Sequence, residues 1–148
     1  MIEARLKELG IELPLQPAPA ANYVPFVKVG TLVFISGQIT SRLGKVGRDI
    51  TIEEGQEAAR LCALNIFAHL KVACEGDLNR VVRCVRLGGF VNCMDDFKDQ
   101  PKVMNGASDL MVAVFGEKGR HARASVGVNA LPLGVAVEVE ALFEVQVS

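Results

Sequence analysis

Arg123, Glu138 and Glu140 are the residues best placed to do chemistry in the stretch "RHARASVGVNALPLGVAVEVEALFEV", Arg120 to Val145. Small and β-branched residues surround them, the composition of buried sheet. A guanidinium beside buried sheet is stable only where it meets an anion. Glu138 and Glu140 are two apart and share one face of a strand. Antiparallel pairing of the last two strands would bring one of them to Arg123. Two readings follow. In one, Arg123 closes an ion pair at a sheet edge or subunit interface. In the other it is an anion clamp, because its planar fork matches a carboxylate in bidentate fashion. A nearby glutamate would then orient a water or shuttle a proton.

Other candidates carry weaker signals. Ser36-Gly37-Gln38 closes a strand-like run, and a glycine there lets a ligand approach backbone N–H groups. An ordinary strand-end turn explains the same residues. His69 stands between Ile66 and Leu70 and reads as a partly buried helix histidine. His121 reads as a loop-end residue, with an acid–base role in a nuclease-like site as the alternative. Cys62, Cys74, Cys84 and Cys93 form no C-x-x-C pair and do not cluster with the histidines, so zinc spacing is absent. They read as small buried hydrophobes, reduced in the cytoplasm. G-x-x-x-x-G-K-[ST], G-x-G-x-x-G after a strand and G-x-S-x-G are all absent. No cofactor and no metal are expected.

The elements that must position these residues follow from periodicity. "IEARLKELG" has Ile2, Leu6 and Leu9 on one side and Gly10 as a stop, which predicts a short helix. Pro14, Pro17, Pro19 and Pro25 make the next segment an extended connector. "FVKVGTLVFISGQI" predicts a hairpin turning at Gly30-Thr31, and "TSRLGKVGRD" a polar loop. A capping box, Thr51 with Glu54, opens the clearest helix. Its stripe runs through Ala59, Cys62, Ala63, Ile66, Leu70 and Ala73, and Gly76 ends it. "NRVVRCVRLGGFVN" predicts a strand with Arg83 and Val85 on one face and Cys84 and Arg86 on the other. "QPKVMNGASDLMVAVFG" predicts a second long helix, with Pro101 in its first turn. Two last strands meet near Leu131-Pro132. The order β-β-α-β-α-β-β implies an α+β fold, one sheet with two helices on one face.

Length and composition fit one domain, residues 1–148, with the helix and proline-rich connector over 1–18. Half of the 148 residues are hydrophobic and the mean hydropathy is +0.30. No apolar run reaches the ~18 residues of a membrane span, and "MIEARLKELG" is too charged for a signal peptide. The apolar excess, on a sheet with helices on one face only, predicts a homo-oligomer that hides it. The net charge of -1 and the absence of a basic block leave no evident nucleic-acid footprint.

Three blocks, "YVPFVKVGTLVFISGQI", "VVRCVRLGGFVNCMDDF" and "ARASVGVNALPLGVAVEVEA", together resemble the RidA/YjgF family of reactive-intermediate deaminases, also described as L-PSP endoribonucleases. The resemblance runs from about Pro19 to the C-terminus. It implies a chorismate-mutase-like fold, one mixed β-sheet per chain, assembled as a homotrimer around a central β-barrel with ligand clefts between subunits. Active members hydrolyse 2-imino and enamino acids to 2-oxo acids and ammonia without a cofactor. By resemblance Arg123 grips the substrate carboxylate and Glu138 positions the attacking water. Gly37 offers backbone beside Ser36, Asn105 is the helix asparagine, and Phe26 and Ser125 stand where tyrosine and cysteine are common. His121 and Asn129 are unusual in the signature block, and the N-terminal "LKELGIELP" is similar to a less characterised branch. Two rivals stay open: a non-catalytic binder of small carboxylates, and an endoribonuclease.

Overall fold

The computed structural model describes residues 1–15 and 21–147. Helix α1 (Ile2–Glu8) is short and turns its one buried residue, Leu6, inward. Pro17 and Pro19 of the expected connector lie outside the described residues. Strands β1 (Phe26–Val29) and β2 (Leu32–Gln38) form the expected antiparallel hairpin. Gly30 at its turn has φ +61°, a conformation glycine adopts without strain.

Helix α2 (Ile52–Ala73) starts at the predicted capping box. Thr51 Oγ1 accepts from the Glu54 N–H at 3.1 Å, and Glu54 accepts from the Thr51 N–H at 3.0 Å. Strand β3 (Val81–Asn92) is followed by helix α3 (Gln100–Phe115), with Pro101 in its first turn. Strands β4 (Ala122–Val128) and β5 (Val137–Val145) complete the chain.

The five strands make one mixed sheet in the order β1-β2-β5-β3-β4. Helices α2 and α3 cover one face of it. Between them and the sheet sits the core, with Phe67, Leu70, Met104, Met111, Leu87, Val139 and Phe143 fully buried. The other face is open and carries exposed Val27, Val29, Phe34 and Val126. The sheet has two free edges and is not a closed barrel.

Two expectations are corrected here. The last two strands do not pair. β3 lies between them, parallel to β4 and antiparallel to β5. The five-stranded order buries β3, the longest strand, at the cost of separating its sequence-adjacent neighbours. Cys84 and Arg86 do not share a face either. The ladder shifts by one residue between them, so Cys84 is buried while Arg86 faces out. A bulge of this kind breaks the period-two rule on which that expectation rested. The polar loop after β2 is more tightly held than its composition suggests. Val46 within it is fully buried and bridges to Cys93.

Candidate functional site

Arg123 lies on edge strand β4 and pairs in register with Leu87, a core residue. Its side chain therefore points to the helix-covered face. There α3 presents Asn105 and Ser108, three apart and so on one helix face. Arg123 Nη1 donates to Asn105 Oδ1 at 2.9 Å and to Ser108 Oγ at 3.1 Å. Neither partner is charged, so within the chain Arg123 forms no ion pair among the described residues. Both Nη1 hydrogens are engaged, and among the described residues the Nε and Nη2 hydrogens have no acceptor. That free edge is the one that meets a carboxylate side-on with two parallel bonds. Ser125, two residues along the same strand, has a buried hydroxyl with no partner among the described residues.

Glu138 sits on the opposite face. Within β5 the odd residues are buried beneath the helices and the even ones face the open side. A bulge in β2 sets its surroundings: the pairing passes from Ile35 with Ala141 to Gln38 with Val139, so Ser36 and Gly37 oppose the single Glu140. Bulges re-aim side chains in this way beside functional sites. The Glu138 carboxylate occupies the space over Gly37. A Cβ there would collide with Oε2 and lie 2.9 Å from Cδ, so any larger residue would push the carboxylate away.

Glu138 and Gly37 line a cleft of about 420 Å³ with Ala21, Tyr23, Ile39, Pro132 and Leu133. Its walls are largely apolar. Burial raises the pKa of Glu138 above the ordinary carboxylate value, and the neighbouring Glu140 charge raises it further. Glu140 itself pairs with Arg86 at 3.5 Å. Beneath, the buried Cys62 thiol is pushed up to about 12 by burial and by the Glu138 charge. At the rim, Leu133 has φ +59°, a left-handed conformation that strains a leucine by about 1–2 kcal/mol.

The sequence-derived residues thus fall into two groups. Arg123, Asn105 and Ser125 gather on the helix side of the β4 edge. Glu138 and Gly37 gather in the open-face cleft, two strands away. Ser36 borders that region, but its hydroxyl donates to the Val24 carbonyl at 2.7 Å. Phe26 packs against the core; the aromatic residue at the cleft is Tyr23. Ser108 was missed, although its spacing of three from Asn105 marks the same helix face. No group of three or more His, Cys, Asp and Glu side chains among the described residues is placed to hold a metal ion. No helix among them is long and apolar enough to cross a membrane.

Comparison with known proteins agrees with this architecture. Residues 3–145 match the family model described as "YjgF/chorismate_mutase-like, putative endoribonuclease". Protein TCP17 of Trypanosoma cruzi is 49% identical, over 97% of this chain and 93% of its own. A crystal structure of an Agrobacterium tumefaciens protein of unknown function superposes with a TM-score of 0.91 at 46% identity, covering 98% of this chain and 92% of that one. The 2-iminobutanoate/2-iminopropanoate deaminase of Dermatophagoides farinae is 28% identical, over 92% of this chain and 95% of its own. The chain belongs to the YjgF/chorismate mutase-like family.

Proposed function

We propose that this chain is a cytoplasmic deaminase that hydrolyses small 2-imino or enamino carboxylic acids to 2-oxo acids and ammonia, working as a homotrimer with clefts between subunits. The observation that carries the reading is the state of Glu138. It is a carboxylate on the floor of an apolar cleft, and its hold on a proton is strengthened by burial. Such a group can take a proton from an attacking water and return it to a departing amine. Water adds to the C=N carbon as its first proton passes through Glu138 to nitrogen, giving a carbinolamine. The hydroxyl proton then passes to nitrogen through the same group, the C=O bond forms, the C–N bond breaks and ammonia leaves. The imine carbon is already electrophilic, so the protein needs only to position the reactants.

Arg123 supplies the second function, a side-on grip on the substrate carboxylate. Because Arg123 and Glu138 lie on opposite faces of one sheet, a single chain cannot bring them to one ligand. A complete site combines Arg123 of one copy with Glu138, Gly37 and Tyr23 of the next. The exposed valines and Phe34 of the open face give the apolar surface such an assembly would cover. The relation to a mite protein named as an imine deaminase supports the same chemistry. Nucleic acid is not an expected partner, because the cleft lining among the described residues carries a carboxylate and no lysine or arginine.

The test is a coupled assay. A dehydratase generates 2-aminoacrylate or 2-iminobutanoate in situ, and 2-oxo acid release is followed with wild type and Arg123→Ala. Acceleration by wild type alone is the expected outcome. No acceleration by folded wild type, together with retained 2-oxo acid binding, would replace the deaminase with a carboxylate-binding protein.

A further inference from the structure

The guanidinium of Arg123 is held by a longer chain of hydrogen bonds than a ligand grip requires. Ser108 Oγ, which accepts from Nη1 of Arg123, lies 2.9 Å from His121 Nε2. His121 Nδ1 lies 2.6 Å from the Gly119 carbonyl oxygen. A carbonyl only accepts, so Nδ1 carries the proton and donates. In the neutral ring Nε2 then accepts, and the Ser108 hydroxyl donates to it. This leaves a Ser108 lone pair facing Arg123. Every donor and acceptor along the line Gly119–His121–Ser108–Arg123 has one consistent role.

The far end of this line is fixed. Gly119 is buried against the backbone of α3, where an added Cβ would collide with the Met111 carbonyl oxygen and lie 2.6 Å from its carbon. The next carbonyl, that of Arg120, accepts from Arg83 Nη2 of β3 at 2.8 Å. The segment entering β4 is therefore braced by both α3 and β3, and it passes that rigidity to the guanidinium through two side chains. Asn105 alone would leave Arg123 free to pivot about a single bond.

We propose that His121 and Ser108 are positioning residues that lock Nη1 of Arg123, so that the protein presents only the Nε–Nη2 edge and selects one planar carboxylate approaching side-on. The inference rests on the reading of Arg123 as a carboxylate grip. It goes beyond that reading by assigning the orientation of the grip to two further residues. Neither residue touches the ligand; both act through Arg123.

The experiment measures pyruvate and 2-oxobutanoate binding by calorimetry at one pH, without turnover. The chains compared are wild type, Arg123→Ala, Ser108→Ala, His121→Asn, His121→Gln and the double variant Ser108→Ala/His121→Asn, each checked for folding by thermal melt. Arg123→Ala is expected to lose detectable binding. Ser108→Ala is expected to weaken binding about tenfold, the effect of one lost charge-assisted hydrogen bond, and His121→Asn about fivefold, the effect of one lost neutral one. His121→Gln, whose side-chain oxygen can reach the place of Nε2 and accept from Ser108, is expected within about threefold of wild type. The double variant should be no weaker than the weaker single one, since both remove the same brace.

Wild-type affinity in Ser108→Ala, with binding lost in Arg123→Ala, would overturn the brace and leave the grip standing. Equal losses in His121→Gln and His121→Asn would reduce His121 to packing and overturn its part. Failure of wild type to bind either oxo acid would overturn the grip and the brace together. If His121→Asn does not fold, Ser108→Ala decides the matter alone.

Discussion

The Arg123 region and the Glu138 region are built by opposite means. Around Arg123 the protein supplies neutral hydrogen-bond acceptors, satisfies one side of the guanidinium and leaves the other free. Around Glu138 it supplies almost nothing polar: an apolar cleft, a glycine that yields space and a second carboxylate nearby. The first arrangement keeps a charge fixed and ready for an anion. The second makes a charge uncomfortable and a proton welcome. Binding and proton transfer need these contrasting environments, and the sheet keeps them apart by placing them on its two faces.

The contrast is broken most severely at the carboxylate. Glu138→Gln is expected to lower turnover about 10²- to 10⁴-fold, the range for a general acid–base group, while 2-oxo acid affinity measured by calorimetry stays within about threefold. The division across copies is tested by mixing. Arg123→Ala and Glu138→Gln chains, each inactive, are co-refolded in equal amounts. If each cleft draws on two copies in a ring, about a quarter of the clefts regain both residues and activity returns in proportion. If one chain supplies both, nothing returns.

Smaller effects sharpen the contrast. Leu133→Gly relieves the left-handed strain at the cleft rim. It should raise the melting temperature while weakening oxo-acid binding, because an apolar wall is lost. Thr51→Ala, far from both regions, should reduce stability by about 1 kcal/mol in denaturant titrations and leave turnover unchanged. The smallest effect is on pH dependence. Because the folded pKa of Glu138 is raised, its favourable contribution is complete below the ordinary carboxylate range and is lost as pH rises through the folded value. Glu138→Gln stays neutral, so its melting temperature should exceed that of wild type near neutral pH. The gap should close as pH falls toward about 4. Glu140→Gln should move the acid limb of the wild-type pH–rate profile downward, since the Glu140 charge is one cause of the raised pKa.

Most of the fold was legible in the sequence, for local reasons. The Thr51–Glu54 capping box, Pro101 at a helix start and the Gly30 turn are short-range signals, and each appears where its spacing put it. Strand order was not legible. Nothing local to "ARASVGV" or "VEVEALFEV" shows that β3 intervenes, because pairing is decided by which arrangement best buries the long apolar strand. The same non-local choice set Arg123 and Glu138 on opposite faces and sent Glu140 to Arg86. Tyr23 and Phe26 show the limit at side-chain scale. Tyr23 lies in the bent segment before β1 and Phe26 opens the strand, a difference that composition does not encode. His121 is a loop-end residue, as its position implied; its partners Ser108 and Gly119 were not legible because they reach it from another element and from a buried carbonyl.

The β2 bulge carries one further consequence, for chain length. On either side of it the helix-facing positions change from odd to even: Val33 and Ile35 face the core, and Gln38 pairs with buried Val139. A residue removed from the regular part of the strand would turn the hairpin over, exposing its core residues. A residue removed at Ser36 or Gly37 would merely restore an unbroken ladder. The bulge is thus the one point in this strand where a single-codon deletion can erase the cleft and spare the scaffold, so descendants of such a chain could keep the architecture and abandon the chemistry.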